Sequence, residues 1–550
     1  MRLPDTFCIL QRILRYWHTL RHLKPVQIYG RLWFRLHTPK INFDEAPGLR
    51  AVGHAWIQPT AKHQTQFGEM TFRFLNQDQT LGGTDAWNNA ACDKLWLYNL
   101  HYFDDLCAVG AHDRLVWHKQ LIEKWIADNP PARGNGWEPY PTSLRIVNWM
   151  KFALAGNQLS NAALQSLAIQ SRWLSKRVEH HLLANHLFVN AKALVFAGMF
   201  FQGNEADSWR NQGLRILNHE IPEQILDDGG HFELSPMYHA IILDDVLDLI
   251  NACQSWPGVI PTQQANSWRD TAQRMLTWLE IMSHPDGDVS FFNDAAFGIA
   301  PRLMDLTQYA KRLDLDVDQR ASIKELHHLQ QSGYIRAQQG KAVLITDVAR
   351  IGPDYQPGHA HADTLSFEFS LGAQRVFVNS GTSTYKTGAQ RSLERSTAAH
   401  NTVEIDKSDS SEVWGGFRVA RRAHPFGITC VDEETALTIS ASHNGYQRLV
   451  GHPTHQRIWK LTSDSLTITD RITGKPDVAT ARLYLHPSVK VSGNGLFTLP
   501  NGQQLRYSVH GAIVTIVDSV WHPEFGKNVG NTCLVFTFTG SESVFELQWS

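Results

Sequence analysis

Little in this chain is suited to cross-linking or to spanning a membrane. Six cysteines in 550 residues (Cys8, Cys92, Cys107, Cys253, Cys430 and Cys533) are widely spaced, with no CxxC pair. That excludes a zinc ribbon and a disulfide framework. No run of about 18 apolar residues occurs, so no transmembrane helix is expected. The first apolar run, Phe7 to Leu10, is cut by Gln11 and Arg12 before the core of a signal peptide can form, and the expected location is therefore cytoplasmic. An excess of one charge is also missing. Lys plus Arg is 51 and Asp plus Glu is 53, a net charge of −2, which removes a global electrostatic argument for binding nucleic acid. There is no P-loop, GxGxxG, HExxH or GxSxG motif.

What is present is a chain with 43% hydrophobic and 19% charged residues, enough for a large core and roughly two to four domains. It is rich in Trp (18) and His (27). The first 40 residues are basic, with Arg2, Arg12, Arg15, Arg21, Lys24, Arg31, Arg35 and Lys40 against Asp5 alone. Interleaved Ile13, Leu14, Trp17, Leu20, Trp33 and Phe34 would give an amphipathic surface for anionic lipid. The favoured reading is a pair of solvated helices packed on the body.

From about residue 90 to 330 the pattern is helical, with stretches near 143–155, 161–179, 187–201, 208–226, 238–254 and 268–283. In 187–201, Ala191, Leu194, Val195 and Gly198 follow i, i+3, i+4, i+7. From Lys341 onward, short alternating runs separated by Gly, Asn, Asp and Pro turns dominate, among them Val343–Val348, Leu365–Leu371, Ala481–Leu485 and Cys533–Phe538. The expected architecture is an (α/α) toroid of antiparallel helices over 1–330, with a basic arm over about 1–60, followed by an antiparallel β-sandwich over 335–550.

Four polar clusters interrupt the apolar pattern. Asn185-His186 follows His180-His181 between two helical stretches, as a helix cap or as a ligand-facing amide and imidazole. Asp227-Asp228-Gly229-Gly230-His231-Phe232-Glu233-Leu234-Ser235-Pro236-Met237-Tyr238-His239 combines a sharp turn with two proton carriers, Glu233 and Tyr238, although Tyr238 also suits a core position. Asn293-Asp294, after Asp286-Gly287-Asp288, reads as a loop. The densest cluster is His359-Ala360-His361-Ala362-Asp363, followed by Asn379 on a returning strand and by Arg395-Ser396-Thr397-Ala398-Ala399-His400-Asn401. Two His at i, i+2 plus a donor from a neighbouring strand make a reasonable metal site.

Together these segments resemble the heparinase II/III-like polysaccharide lyases, a family that includes alginate lyases of the same two-domain plan. The resemblance implies β-elimination at a uronic acid within an acidic polysaccharide, by residue numbers of this chain as follows. Asn185, with His186 beside it, would neutralise the substrate carboxylate. Tyr238 would act as acid, with a second role as base left open, and His359 would be its partner. His361, Asn379 and His400 stand where family members hold a structural zinc, but Asn379 replaces a carboxylate and is a poorer ligand. A sugar groove is expected along Tyr98, His101, Tyr102, Trp137, Tyr140, Arg145, His239 and Arg395. The missing secretion signal points to a bacterial capsule or exopolysaccharide. Two rival readings are a glycoside hydrolase using a pair from Asp228, Glu233, Asp286 and Asp294, and a non-catalytic polysaccharide-binding protein in surface-glycan assembly.

Overall fold

The structure is a computed structural model that describes residues 4–317, 325–493 and 495–549. Arg2 of the basic arm and Asn494 of a predicted turn lie outside the described residues. Two helices, α1 (Pro4–Leu20) and α2 (Pro25–Leu36), form the arm. A small antiparallel sheet over Gln66–Thr80 follows, a feature with no strong sequence signal. The toroid comprises α3 (Lys94–Tyr102), α4 (Leu115–Asp128), α5 (Pro139–Leu154), α6 (Asn161–Lys176), α7 (Ala184–Phe200), α8 (Asn204–Gln224), α9 (Pro236–Ser255), α10 (Thr262–Ile281) and α11 (Leu303–Arg312). Among the described residues, no helix is long and apolar enough to cross a membrane.

The central helix is α7, apolar on nearly every face and buried along almost its whole length. Its neighbour α8 lies close against it because Gly213 carries no side chain; a Cβ there would sit 2.6 Å from the Ala191 carbonyl oxygen. At the start of α9, Pro236 occupies the first turn and the Ser235 hydroxyl accepts the Tyr238 amide at 3.2 Å, so the helix begins two residues before Tyr238.

Among the described residues, the β half contains three larger antiparallel sheets and a two-stranded hairpin, 413–414 with 418–419. An eight-stranded sheet runs in the order 425–433, 436–443, 454–461, 465–473, 542–549, 504–510, 496–498, 490–492. A four-stranded sheet runs 512–521, 529–538, 479–484, 403–405. The third, five-stranded sheet (326–329, 334–339, 342–347, 367–371, 374–377) is the layer between the two halves. One face, with Tyr334, Val343 and Ile345, packs on Trp278, Ile281 and Met282 of α10. The other, with Ile335, Leu344, Phe367 and Phe369, joins Ile439, Trp459 and Phe545 in the sandwich core. Covered on both sides, strand Phe367–Leu371 is buried at every position. The loop before it, which carries His359 and His361, is thereby pressed against the toroid.

The arm packs on the body, as favoured above, but not through its apolar stripe. Gln27 is buried and donates to the Tyr355 carbonyl at 3.0 Å, Phe34 packs under the Arg177 guanidinium, and Tyr16 meets Trp414 edge to face. Trp17 and Trp33 stay 62% and 64% exposed, alongside Leu10, Ile13, Ile28 and Leu32.

Candidate active site

Three loops and one helix start converge between toroid and sandwich. Four non-glycine residues with left-handed backbone stand next to the groups they present: Leu183 (φ 63°) and Ala184 (φ 50°) before Asn185, Leu234 (φ 57°) after Glu233, and Asn293 (φ 57°) before Asp294. Each costs on the order of 1 kcal/mol or more and persists only because its surroundings over-determine it. Asn293 shows how. Its amide donates to the Leu234 carbonyl at 2.8 Å, its side-chain oxygen accepts the His361 amide at 3.0 Å, and its own backbone N–H reaches Asp363 at 3.1 Å. One residue thus ties the loops of Glu233, Asp294 and His361 together.

Asp294 is the electrostatic hub. Its fully buried carboxylate accepts from His359 Nδ1 at 2.8 Å, from His361 Nε2 at 2.8 Å, from both terminal nitrogens of Arg391 and from the Thr382 hydroxyl at 3.3 Å. Burial pushes this carboxyl up, but Arg391 and then the two imidazoles hold it well below the usual carboxylate range. With Nδ1–H of His359 given to Asp294, the free Nε2 lies 3.5 Å from Glu233 Oε2. Glu233 also accepts both the backbone and side-chain N–H of Asn185, each at 3.3 Å, and burial raises its pKa.

Tyr238 stacks on His359 with ring centroids 3.9 Å apart, and its hydroxyl meets the Tyr385 hydroxyl at 3.0 Å. Burial foremost, then Tyr385 and Tyr140, push the Tyr238 pKa well above its ordinary value, so the hydroxyl keeps its proton. His186 faces Tyr140, centroids 4.5 Å apart, and bonds Glu179 through Nδ1 at 3.2 Å. Burial works against its charge, but Glu179, Glu233 and Glu138 outweigh it and raise its pKa.

Asn185, His186, Tyr238 and His359 are therefore brought together, with Tyr140 behind His186. Tyr102 lies beside Tyr140, centroids 6.0 Å apart, and Tyr98 bonds Glu138 nearby. The other expected groove residues are core residues, with every polar side-chain atom bonded except Nη1 of Arg395. His101 bridges the Trp87 carbonyl and the Trp125 indole. Trp137 donates to the Asn129 carbonyl. Arg145 bonds Gln170 and lies 3.8 Å from the Trp125 ring centroid. His239 bonds the Met275 carbonyl and stacks on Trp278. Arg395 clamps the Ala360 carbonyl, which shapes the His359–His361 loop from behind.

His361 Nδ1 and His400 Nε2 lie 3.2 Å apart. Asn379 does not complete a metal site with them. Its Nδ2 donates to the Phe291 carbonyl at 2.9 Å and its Oδ1 accepts the Asn401 amide at 3.1 Å. Among the described residues, no group of three or more His, Cys, Asp or Glu is placed to hold a metal ion. The residues present do not fit a zinc ion held by three protein ligands.

Sequence reasoning passed over Arg391, Tyr385 and Glu179 and read Asp294 as a loop residue. Asp294 had a signal in its adjacent Asn293. Arg391 had none, because it reaches Asp294 from a separate short helix, α12 (Ala389–Glu394).

The heparinase II/III N-terminus model matches residues 111–314, and the heparinase II/III-like C-terminal model matches 322–550. A heparin-sulfate lyase of Bacteroides stercoris is 27% identical over 242 residues, 41% of this chain and 36% of that protein. A heparin-sulfate lyase of Pedobacter heparinus is 26% identical over 318 residues, 54% of this chain and 45% of that protein. The chain thus spans less than half the length of these curated relatives. Among solved structures, heparinase III superposes with a TM-score of 0.65 at 16% identity, covering 95% of this chain and 89% of that one. Heparan sulfate lyase HepC from Pedobacter heparinus gives 0.56 at 18% identity, covering 95% and 87%. These likenesses bear on the fold, a helical toroid followed by antiparallel sheets. With the two family models matched in tandem along most of its length, the chain belongs to the heparinase II/III-like family.

Proposed function

We propose that the chain is a polysaccharide lyase that cleaves a uronic-acid-containing polysaccharide by β-elimination. The observation that carries this reading is the convergence of a buried amide (Asn185), a charge-stabilised imidazole (His186), a proton-retaining phenol (Tyr238) and a carboxylate-oriented imidazole (His359) in one cleft. Removing the C5 proton of a uronate is feasible only when the adjacent carboxylate is neutralised. Asn185 and His186 supply that neutralisation. His359, its Nδ1 fixed by Asp294, takes the C5 proton on Nε2. The C–H electron pair forms the C4–C5 double bond, the C4–O4 bond breaks, and Tyr238 protonates the departing oxygen. The raised Tyr238 pKa supports its role as acid rather than base.

The hydrolase reading loses its carboxylate pair. Asp228 accepts the Gly230 and Ser332 amides, Asp286 is forked with Arg375, and Asp294 is held by Arg391, which leaves Glu233 without a second free carboxylate from this set. The names of the relatives make heparan-type glycosaminoglycans the first polymers to test, with bacterial capsule and exopolysaccharides next. The test is a screen of uronate polymers for ultraviolet-absorbing unsaturated product. Tyr238→Phe and Asn185→Ala are each expected to lower the rate by about 100-fold or more with the fold intact. Near-wild-type turnover in both variants sinks the proposal, and tight binding without turnover favours the non-catalytic reading.

A further inference from the structure

The cleft that holds the candidate catalytic groups has a volume of about 560 Å³, and its lining reaches well beyond them. Asn185, His186 and His359 form part of its wall, and Arg31, Arg35 and Arg418 form another part. Arg31 and Arg35 are one turn apart on α2, so both leave the helix on the same side. Arg418 comes from the short hairpin in which it pairs with Trp414, and its guanidinium lies 4.8 Å from that indole's centroid. Other arginines close to the cleft have partners: Arg391 has Asp294, Arg395 the Ala360 carbonyl and Arg422 has Asp354. Arg31, Arg35 and Arg418 have no acidic partner among the described residues. Partial desolvation foremost, then the charges of Arg418 and Arg35, lowers the Arg31 pKa.

Three cations gathered at an open cleft without a counter-charge repel one another, and a bound anion relieves that repulsion. Guanidinium forks suit the paired oxygens of sulfate and carboxylate. Phe34 and Phe417, in the same lining, offer apolar surface to a sugar ring. With a net charge of only −2 over the whole chain, attraction for a polyanion has to be local, and here it is local to this wall.

We propose that Arg31, Arg35 and Arg418 form an oxyanion subsite that takes a second acidic group, a sulfate or a carboxylate, on a sugar next to the one being cleaved. The identity of the reaction rests on the lyase reading above; the binding does not. Arg31 and Arg35 lie outside both matched family segments, which begin at residues 111 and 322.

The test compares wild type, the double variant Arg31→Ala/Arg35→Ala and the single variant Arg418→Ala on heparan sulfate and on the same polymer after desulfation. All three side chains are exposed, and Arg418→Ala sits on a different element from the pair, so misfolding of one variant leaves the other informative. The expected result is a KM raised about tenfold or more with kcat within about twofold, and a weaker salt dependence of kcat/KM. An effect confined to the sulfated polymer assigns the subsite to sulfate; an equal effect on both assigns it to carboxylate. An unchanged KM in folded variants overturns the proposal. If wild type yields no unsaturated product from any polymer, the lyase reading fails on its own. The subsite is then decided by affinity electrophoresis of the same proteins in gels containing each polymer. Retardation of wild type but not of the double variant supports it, and equal mobility overturns it.

Discussion

Replacing Asp294 by Asn is the sharpest perturbation of the site, because it removes one charge and almost no volume. The wild-type carboxylate has oxygens for His359 Nδ1, His361 Nε2 and the Arg391 fork at once. An amide has one oxygen, and its NH₂ must face a donor. If that donor is His359 Nδ1, the imidazole changes tautomer and carries its proton on Nε2, the atom that should accept the C5 proton. An equivalent tautomer error in a carboxylate-oriented catalytic histidine costs about 10⁴ in kcat, so a fall of roughly 10³–10⁴ is expected. Stability falls as well. Arg391 is fully buried and would lose its counter-charge and one arm of its fork, keeping a bond to the amide oxygen and one to the Gly416 carbonyl at 3.1 Å. Breaking a buried pair from one side costs about 3–5 kcal/mol. The double variant Asp294→Asn/Arg391→Met removes the stranded cation and is expected to recover much of the stability and none of the rate. Urea unfolding measures the first quantity, and initial rates of unsaturated-product formation, taken well below every melting midpoint, measure the second. A folded Asp294→Asn enzyme with kcat within tenfold of wild type would refute the tautomer argument. A double variant that regained activity would show that the loss was structural.

Other outcomes follow from the same geometry. His186 has a raised pKa, so its charge is complete at low pH and is lost as pH rises through that pKa; kcat/KM should decline on the alkaline side. Glu179→Gln removes the largest raising influence and should move that decline to lower pH in a pH–rate profile, and an unmoved profile removes His186 from carboxylate neutralisation. Asn379→Asp places an oxygen against the Phe291 carbonyl in a fully buried site and should cost roughly 3 kcal/mol. Added zinc should raise the melting temperature of this variant and not of wild type, since the variant adds at position 379 a carboxylate that, unlike Asp294, is not engaged by Arg391. In the sandwich, Arg457 and His455 outweigh burial and hold Asp470 at about 2, against an ordinary 3.8. A depressed carboxyl stabilises above its unfolded pKa and loses that contribution as pH falls through the folded value. The roughly 2 kcal/mol it represents should therefore disappear between about pH 4 and pH 2. Asp470→Asn should flatten the acid limb of the melting curve, and an unchanged limb would show that another group controls it.

The helices and strands could be read from the sequence because their patterns are local. The stretch 143–155 became Pro139–Leu154, 238–254 became Pro236–Ser255, and Val343–Val348 became Ala342–Asp347. The chemical types at Asn185, Tyr238 and His359 were legible for a similar reason: each stands in a turn or at a helix start whose neighbours announce it. Their partners were not. Arg391 lies 97 residues from Asp294 and Glu179 sits in the turn before α7, and nothing within a few residues of either indicates what it will touch. The groove expectation failed at His101, Trp137, Arg145, His239 and Arg395 for a general reason. A Trp or Arg looks like a sugar contact in isolation, but a large side chain lowers the free energy most when buried. Trp137 and Arg145 lie in a nested aromatic core around Trp125.

The arm shows most clearly why residue type alone did not place a face. Periodicity marks Ile28, Leu32 and Leu36 as the stripe of α2 that should bury, yet all three are exposed. The helix is held instead by Gln27, which bonds the Tyr355 carbonyl, and by Phe34, centred 4.3 Å from the His181 ring. On a helix turning 100° per residue, Arg31 and Arg35 fall between that Gln27–Phe34 edge and the apolar stripe, Arg31 nearer Gln27 and Arg35 nearer Ile28. Rotating the helix to bury its apolar stripe would carry both arginines away from the cleft wall. The observed rotation leaves apolar area in water and keeps the two cations facing the channel next to Asn185 and His186. The Gln27 and Phe34 contacts set this rotation, and it places both cations on the cleft wall as the binding-surface proposal requires.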